Sequence, residues 1–167
     1  PQEILKLKFD FSQAIRGLVI DKKRGNLLKL NLYGKIKSSS HGTIPHDYKE
    51  RRGIYKGKFI DVNDSNYSCI DTTFSIAQAV LYAQLVNLKD LSESSGNFLY
   101  PSYQNLFEDL LEVVDLTHRD DSLKGEVRKN PERYVIQDEN TVQLLQRFRE
   151  FGKKLFLITN SDFSYTN

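Results

Sequence analysis

Lys153-Lys-Leu-Phe-Leu-Ile-Thr-Asn-Ser-Asp-Phe-Ser-Tyr-Thr166 is the stretch on which the reading of this chain turns. Two lysines lead into an apolar run, Leu155 to Ile158, with no polar alternation. After a helix-like segment and a glycine, such a run reads as a buried parallel strand, expected over 154–159. It stops at Thr159-Asn160-Ser161, three small hydrogen-bonding residues followed by Asp162. In open α/β sheets, ligands lie just beyond the carboxyl ends of the strands. There the Thr159 and Ser161 hydroxyls, the Asn160 amide and nearby N–H groups can cradle an anion such as phosphate. The same residues can instead turn the chain and cap a following helix. The tripeptide alone favours that turn over the cradle.

Upstream of that strand, Asn140 and Gln143 make a capping-box-like start to a helix over 141–151. Val142, Leu145, Phe148 and Phe151 give it an apolar face, and Gly152 ends it. Pro101 opens an earlier helix, over 101–118, with Leu106, Leu110, Val113, Val114 and Thr117 on its expected buried side. Ile70, Phe74, Ala77, Leu81, Leu85 and Leu88 recur at helical spacing and predict a long helix over 71–90, capped by Asp71 or Thr72. Phe74 reads as core by default, although a first-turn aromatic can also face a pocket. Pro1 to Lys8 reads as an amphipathic helical end.

The region 14–40 reads as a three-stranded β-meander. Gly17-Leu-Val-Ile-Asp21 faces Leu27-Leu-Lys-Leu-Asn31 across a turn closed by Gly25, and Tyr33-Gly34 leads into Lys35-Ile-Lys-Ser38. Residues 41–68 are polar and read mostly as loop, with one short strand candidate at Lys58 to Val62. Lys49, Arg51, Arg52, Lys56 and Lys58 are interleaved with Tyr48 and Tyr55, a pattern that nucleic-acid surfaces share. Asp47, Glu50, Asp61 and Asp64 dilute that charge, which favours a solvated loop. Gly53 to Lys58 is not a P-loop: the glycine spacing is one residue short, and Phe59 stands where Ser or Thr must bind magnesium.

With 39% hydrophobic and 28% charged residues, the 167-residue chain has the composition of an ordinary globular domain. The net charge of +2 argues neither for nor against nucleic acid, no nucleic acid polymer is expected as partner, and no apolar stretch approaches the ~20 residues of a membrane span. The single cysteine, Cys69, rules out an internal disulfide and suits a reducing, cytoplasmic setting. His41, His46 and His118 are too scattered for a metal site by spacing, so no metal ligand is assigned. The absence of methionine, with a start at Pro1 and a stop just after the presumed strand end, leads to the expectation of a piece of a longer protein. Leu111, Asp115 and His118 stand at i, i+4 and i+7. A carboxylate and an imidazole so spaced can read a ligand edge or simply pair with each other. Lys124 lies in the turn-rich segment Asp120-Asp-Ser-Leu-Lys-Gly125, where most lysines are solvated.

Several blocks together are similar to a known family. Ala14-Ile-Arg-Gly-Leu-Val-Ile-Asp-Lys-Lys-Arg-Gly-Asn-Leu-Leu-Lys-Leu30, Tyr33-Gly34, His41-Gly-Thr43, Ile70-Asp-Thr-Thr-Phe74, Tyr82-Ala-Gln-Leu-Val86 and Leu157-Ile-Thr-Asn-Ser-Asp162 follow the order seen in the purine 5′-nucleotidase branch of the haloacid dehalogenase superfamily. That resemblance implies an α/β, Rossmann-like hydrolase core with an inserted α+β cap. The chain would be mostly cap, over 1–138, with 139–167 re-entering the core as one helix and one strand. It also implies a magnesium-dependent phosphatase acting on IMP and GMP through an aspartyl-phosphate intermediate. Homo-oligomerisation is left open.

By position in those blocks, the resemblance implies that Thr159, Asn160 and Ser161 hold the phosphate and that Lys124 approaches it. It puts Phe74 and His118 against the purine ring and Asp115 at the base edge. Leu111 departs from the pattern, because the purine-specific relatives carry an arginine there, directed at the 6-oxo group. The Asp-x-Asp nucleophile is expected upstream of Pro1, and the magnesium-binding aspartates downstream of Asn167. The 167 residues alone are accordingly expected to be inactive. The competing reading is a member that has lost catalysis and binds or scaffolds nucleotides.

Overall fold

Strand β1 (Leu18–Asp21) is buried at every position, as a strand must be when both faces of its sheet are covered. In the computed structural model, which describes residues 2–161 and 163, it lies inside a five-stranded antiparallel sheet. Its partners are β2 (Asn26–Leu30), β3 (Ile36–His41), β4 (Ile44–Pro45) and β5 (Tyr67–Ile70), in the order β4-β3-β2-β1-β5. Val19 stands opposite Leu28 on one side and Cys69 on the other. The meander over 14–40 is therefore present as β1–β3, with Gly25 at φ 69° in its first turn. Between Lys29 and Leu30 the β2–β3 register shifts by a bulge.

Alternation along β1 sends Val19 and Asp21 to one face and Leu18 and Ile20 to the other. On the first face Val19, Leu28, Tyr55 and Ile60 form a buried cluster, with Leu30, Ile36 and Tyr67 packed around it. Helix α2 (Thr73–Ser94) approaches β3 and β5 and buries Ala79, Val80, Tyr82, Ala83 and Val86. That face is rotated from the expected stripe: Leu81 and Leu88 are only half-buried, and Ala77 is exposed. Thr72 is the N-cap, its hydroxyl accepting from Ser75 N at 3.1 Å. Helix α3 (Tyr103–Arg119) buries Leu106, Phe107 and Leu110 but leaves Val113 exposed.

Two expectations, for 58–62 and for the amino terminus, are corrected, and 41–68 gains elements the sequence did not announce. More than half of that segment is turn and loop, but it also holds β4, helix α1 (Tyr48–Tyr55) and the start of β5. A reciprocal capping box starts α1, with Glu50 N donating to Asp47 Oδ1 and Asp47 N donating to Glu50 Oε2, both at 2.7 Å. The strand candidate at Lys58 to Val62 reduces to a single bridge between Phe59 and Lys35. In place of a helical end, the described residues up to Lys8 form a 3-10 turn at Ile4–Lys6, with Leu5 exposed.

The chain divides into two units, Pro1–Val113 and Val114–Asn167. The second contains helices α4 (Ser122–Lys129), α5 (Pro131–Tyr134) and α6 (Glu139–Glu150). Asp138, not Asn140, caps α6, accepting from Asn140 N at 3.0 Å and from the Thr141 hydroxyl at 2.8 Å. The apolar face expected to be buried is open: Val142, Leu145, Phe148 and Phe151 are all exposed. The strand expected over 154–159 is absent as well. Residues 153–159 have no ladder partner among the described residues, and Phe156, Leu157 and Ile158 are exposed. A strand exists only through pairing, so an apolar run cannot become one by composition alone.

Candidate functional site

Two sets of polar residues stand out, one buried in the sheet unit and one on the surface positions singled out by the sequence. The buried set is a chain of hydrogen bonds through six elements. Asp21, fully buried at the end of β1, takes a hydrogen bond from the Tyr55 hydroxyl at 2.8 Å and from Arg24 Nη1 at 3.0 Å. Because the Tyr55 proton is committed to Asp21, Asn26 Nδ2 must donate to the Tyr55 oxygen, at 2.9 Å. Asn26 Oδ1 then accepts from His41 Nδ1 at 2.7 Å, and His41 Nε2 faces Asp90 Oδ2 at 2.7 Å. The Tyr103 hydroxyl donates to Asp90 Oδ1 at 2.6 Å. Burial pushes the Tyr55 phenol far above its ordinary value, with the Asn26 amide opposing and Asp21 reinforcing the shift. It is a neutral donor at any physiological pH.

This chain of bonds ties the β1–β2 turn, the last turn of α1, the end of β3, and helices α2 and α3 into one unit. The sequence reading missed it because its members lie far apart in the chain. Beside it, His46 Nδ1 lies 3.0 Å from the buried Ser39 hydroxyl. Burial holds the His46 imidazole below its ordinary value, opposed by Glu50 and helped by His41 and Arg51. Folding therefore favours the neutral ring, and the unfolded chain binds more protons in the window below about 6.5. This contribution to stability is complete above that value and is lost as pH falls through the folded pKa. His46→Gln should flatten the acid side of the stability profile, read by urea midpoints between about pH 5 and 7. An unchanged profile would show that another group sets it.

The sequence-predicted residues are distributed over both units. In the sheet unit, Phe74 lies in the first turn of α2 and is 79% exposed, so the default reading of it as core is overturned. In the second unit, Asp115 is exposed on α3, and His118 Nδ1 donates to the Val114 carbonyl at 2.7 Å. That bond leaves Nε2 as the acceptor of the neutral ring. Asp115 and His118 do not pair with each other. Lys124 is half-buried in the first turn of α4, a helix whose Asp121 and Arg128 form an ion pair. Ser161 N donates to the Thr159 hydroxyl oxygen at 3.0 Å, a local turn that leaves the Thr159 proton free to donate elsewhere. Asp162 lies outside the described residues.

The sequence model of the 5′ nucleotidase family matches residues 1–167. The chain belongs to the 5′ nucleotidase family. It is similar to the 5′-nucleotidase domain-containing protein 2 of Rattus norvegicus, with 26% identity over 179 aligned positions that cover all of this chain and 31% of the rat protein. The Homo sapiens protein of the same name is also 26% identical over 179 positions, 33% of its length. The chain thus spans about a third of the length of these curated relatives.

Within this family member, among the described residues, no three His, Cys, Asp or Glu side chains converge as a metal site. The described residues therefore offer no carboxylate cluster that fits magnesium. No described helix is long and apolar enough to cross a membrane.

Proposed function

We propose that this chain is the cap-bearing, substrate-facing part of a cytoplasmic, magnesium-dependent 5′-nucleotidase of the haloacid dehalogenase type. The whole protein hydrolyses purine nucleoside 5′-monophosphates through an aspartyl-phosphate, its nucleophile and metal ligands lying outside residues 1–167. The family match across the whole chain carries this reading. The Thr159 and Ser161 hydroxyls and the Asn160 amide donate to phosphoryl oxygens, and the Lys124 ammonium offsets the charge that grows on them in the transition state. Phe74 and His118 are each assigned a stacking role toward the base, and the exposure of the Phe74 ring supports its own. Asp115 accepts from the N1–H of a 6-oxopurine.

Leu111 sets an expectation about selectivity. A leucine offers no donor to a purine 6-oxo group, whereas an arginine would add a charge-assisted hydrogen bond worth about 1.5–3 kcal/mol. Leu111→Arg in the full-length protein should raise kcat/KM for IMP and GMP over AMP by about 10- to 150-fold. An unchanged ratio would remove residue 111 from the base site.

The test of the function itself is phosphate release by the full-length protein with magnesium and a panel of nucleoside monophosphates. Turnover selective for IMP and GMP is the expected result. Binding of these nucleotides without turnover would replace the enzyme by a nucleotide-binding member of the family.

A further inference from the structure

Helix α1 turns a basic run into one wall of a cleft of about 360 Å³. Five cationic side chains line it, Lys35, Arg51, Arg52, Lys56 and Lys58, together with the ring of Tyr48. Lys35 is brought from the β2–β3 turn by the bridge between its own backbone and Phe59. Lys56 takes a left-handed conformation at φ 48° as the helix ends, and Gly57 follows at φ 71°. That double turn folds Lys58 back, its N–H donating to the Tyr55 carbonyl at 2.8 Å.

The nearby carboxylates are held in local hydrogen bonds of their own. Asp47 and Glu50 are engaged with each other's backbone N–H groups in the capping box. Asp61 accepts from Asn63 N at 2.9 Å and Nδ2 at 3.1 Å, and Asp64 accepts from Asn66 N at 2.9 Å and Nδ2 at 2.7 Å. No Asp or Glu lines the cleft, and none of the five cations forms an ion pair among the described residues. Two guanidiniums are instead braced on one tyrosine. Arg52 Nη1 donates to the Tyr48 hydroxyl at 3.0 Å, and the Arg51 guanidinium lies 5.5 Å from the Tyr48 ring centre.

We propose that this cleft binds a small, multiply charged phosphate anion of pyrophosphate or triphosphate size. Its volume is in the range of small-molecule sites. Like charges gathered in one concavity focus a positive potential that a multivalent anion relieves better than a monovalent one. Guanidinium forks match phosphoryl oxygens in pairs, and lysines add point charges around them. A nucleic acid strand fits less well, because it needs a groove that tracks several nucleotides, and the cations here converge on one concavity beside a helix two turns long.

The test titrates sodium triphosphate, without divalent metal, into the full-length protein and reads hydrogen exchange of the segment 48–58. Triphosphate should slow exchange there, bind at least about tenfold more tightly than orthophosphate, and weaken as salt rises. The variant R51Q/K58Q keeps the Asp47–Glu50 capping box. It should retain the exchange pattern of α1 without ligand and lose at least about tenfold in triphosphate affinity. Affinity equal to the parent's would overturn the proposal, as would binding that leaves 48–58 unprotected. Tighter binding of a single-stranded oligonucleotide than of triphosphate, with protection spreading beyond 48–58, would overturn it in favour of a nucleic-acid surface.

Discussion

Gly42→Ala should destabilise the sheet unit by about 2–5 kcal/mol, a far larger effect than alanine at most glycines of this chain. Gly42 has φ 52°, a left-handed conformation that costs an L-residue about 1–2 kcal/mol. A Cβ there would lie 2.1 Å from Asn87 Oδ1 and 2.8 Å from the Ala83 carbonyl oxygen. The first clash is with a side chain already bonded to Thr43, accepting from its N–H at 3.2 Å and donating to its hydroxyl at 2.5 Å. The second is with the backbone of α2 at a fully buried residue, and no rotamer change relieves it. Either α2 steps away from the β3–β4 turn or the turn opens and gives up its 3.1 Å bond from Gly42 N to Gly25 O. Two other glycines separate the causes. Gly57 has φ 71° but nothing near its missing Cβ, so Gly57→Ala carries the conformational cost alone. Gly53 sits inside α1 with open space around it, and Gly53→Ala should stabilise by about 0.5–1 kcal/mol. Hydrogen exchange of β3 and α2 amides in the full-length protein reads all three. A Gly42→Ala loss no greater than that of Gly57→Ala would show that α2 yields freely at Ala83.

The contrast between the legible and the illegible parts of this chain follows the range over which each element is determined. β1 and β2 were readable because Leu28 and Leu30 alternate with Lys29, and because Gly25 supplies the turn within a few residues. α2 and α3 were readable because 22 and 17 residues hold a helical period, even though the buried face of α2 lies one position off the expected stripe. β5 was not. Its four residues pair with β1 across some fifty positions, and nothing local in Tyr67-Ser-Cys-Ile70 announces that partner. α1 hid for a different reason: its only strong local signal is the Asp47-x-x-Glu50 box, set in a sequence rich in charge and containing Gly53. The opposite error arose at Leu155 to Ile158, where composition reads as a strand and the described structure offers no ladder. Of the candidate site, Asp115, His118 and Thr159–Ser161 could be noted from spacing and residue type, but only the resemblance chose a ligand role for them, since each also has an ordinary structural use. The turn at Thr159–Ser161 and the His118–Val114 bond show those uses in place.

Tyr82→Ala is the substitution expected to cost most among single side-chain truncations, about 3–5 kcal/mol. Tyr82 is fully buried on α2, and its ring meets Phe107 of α3 edge to face, with centroids 5.2 Å apart and planes at 78°. Its hydroxyl donates to the Tyr103 carbonyl at 3.0 Å, at the start of α3. Truncation would therefore remove the ring that fills the seam between the two helices and leave a cavity that neighbouring Ala79 and Ala83 are too small to close. Tyr82→Phe isolates the polar part. It keeps the ring and deletes one bond, for an expected loss of about 0.5–1.5 kcal/mol. The pair with Phe107 should show a coupling of about 0.5–1.5 kcal/mol in a double-mutant cycle, because an edge-to-face contact is lost whichever ring goes first. Exchange of the α2 and α3 amides in the full-length protein would report each value. If Tyr82→Phe cost as much as Tyr82→Ala, the hold of α2 on α3 would rest on one hydrogen bond to the Tyr103 carbonyl, and not on packing. If the cycle gave no coupling, the ring pair would be adjacency without energy, and the cost of Tyr82→Ala would belong to the cavity alone.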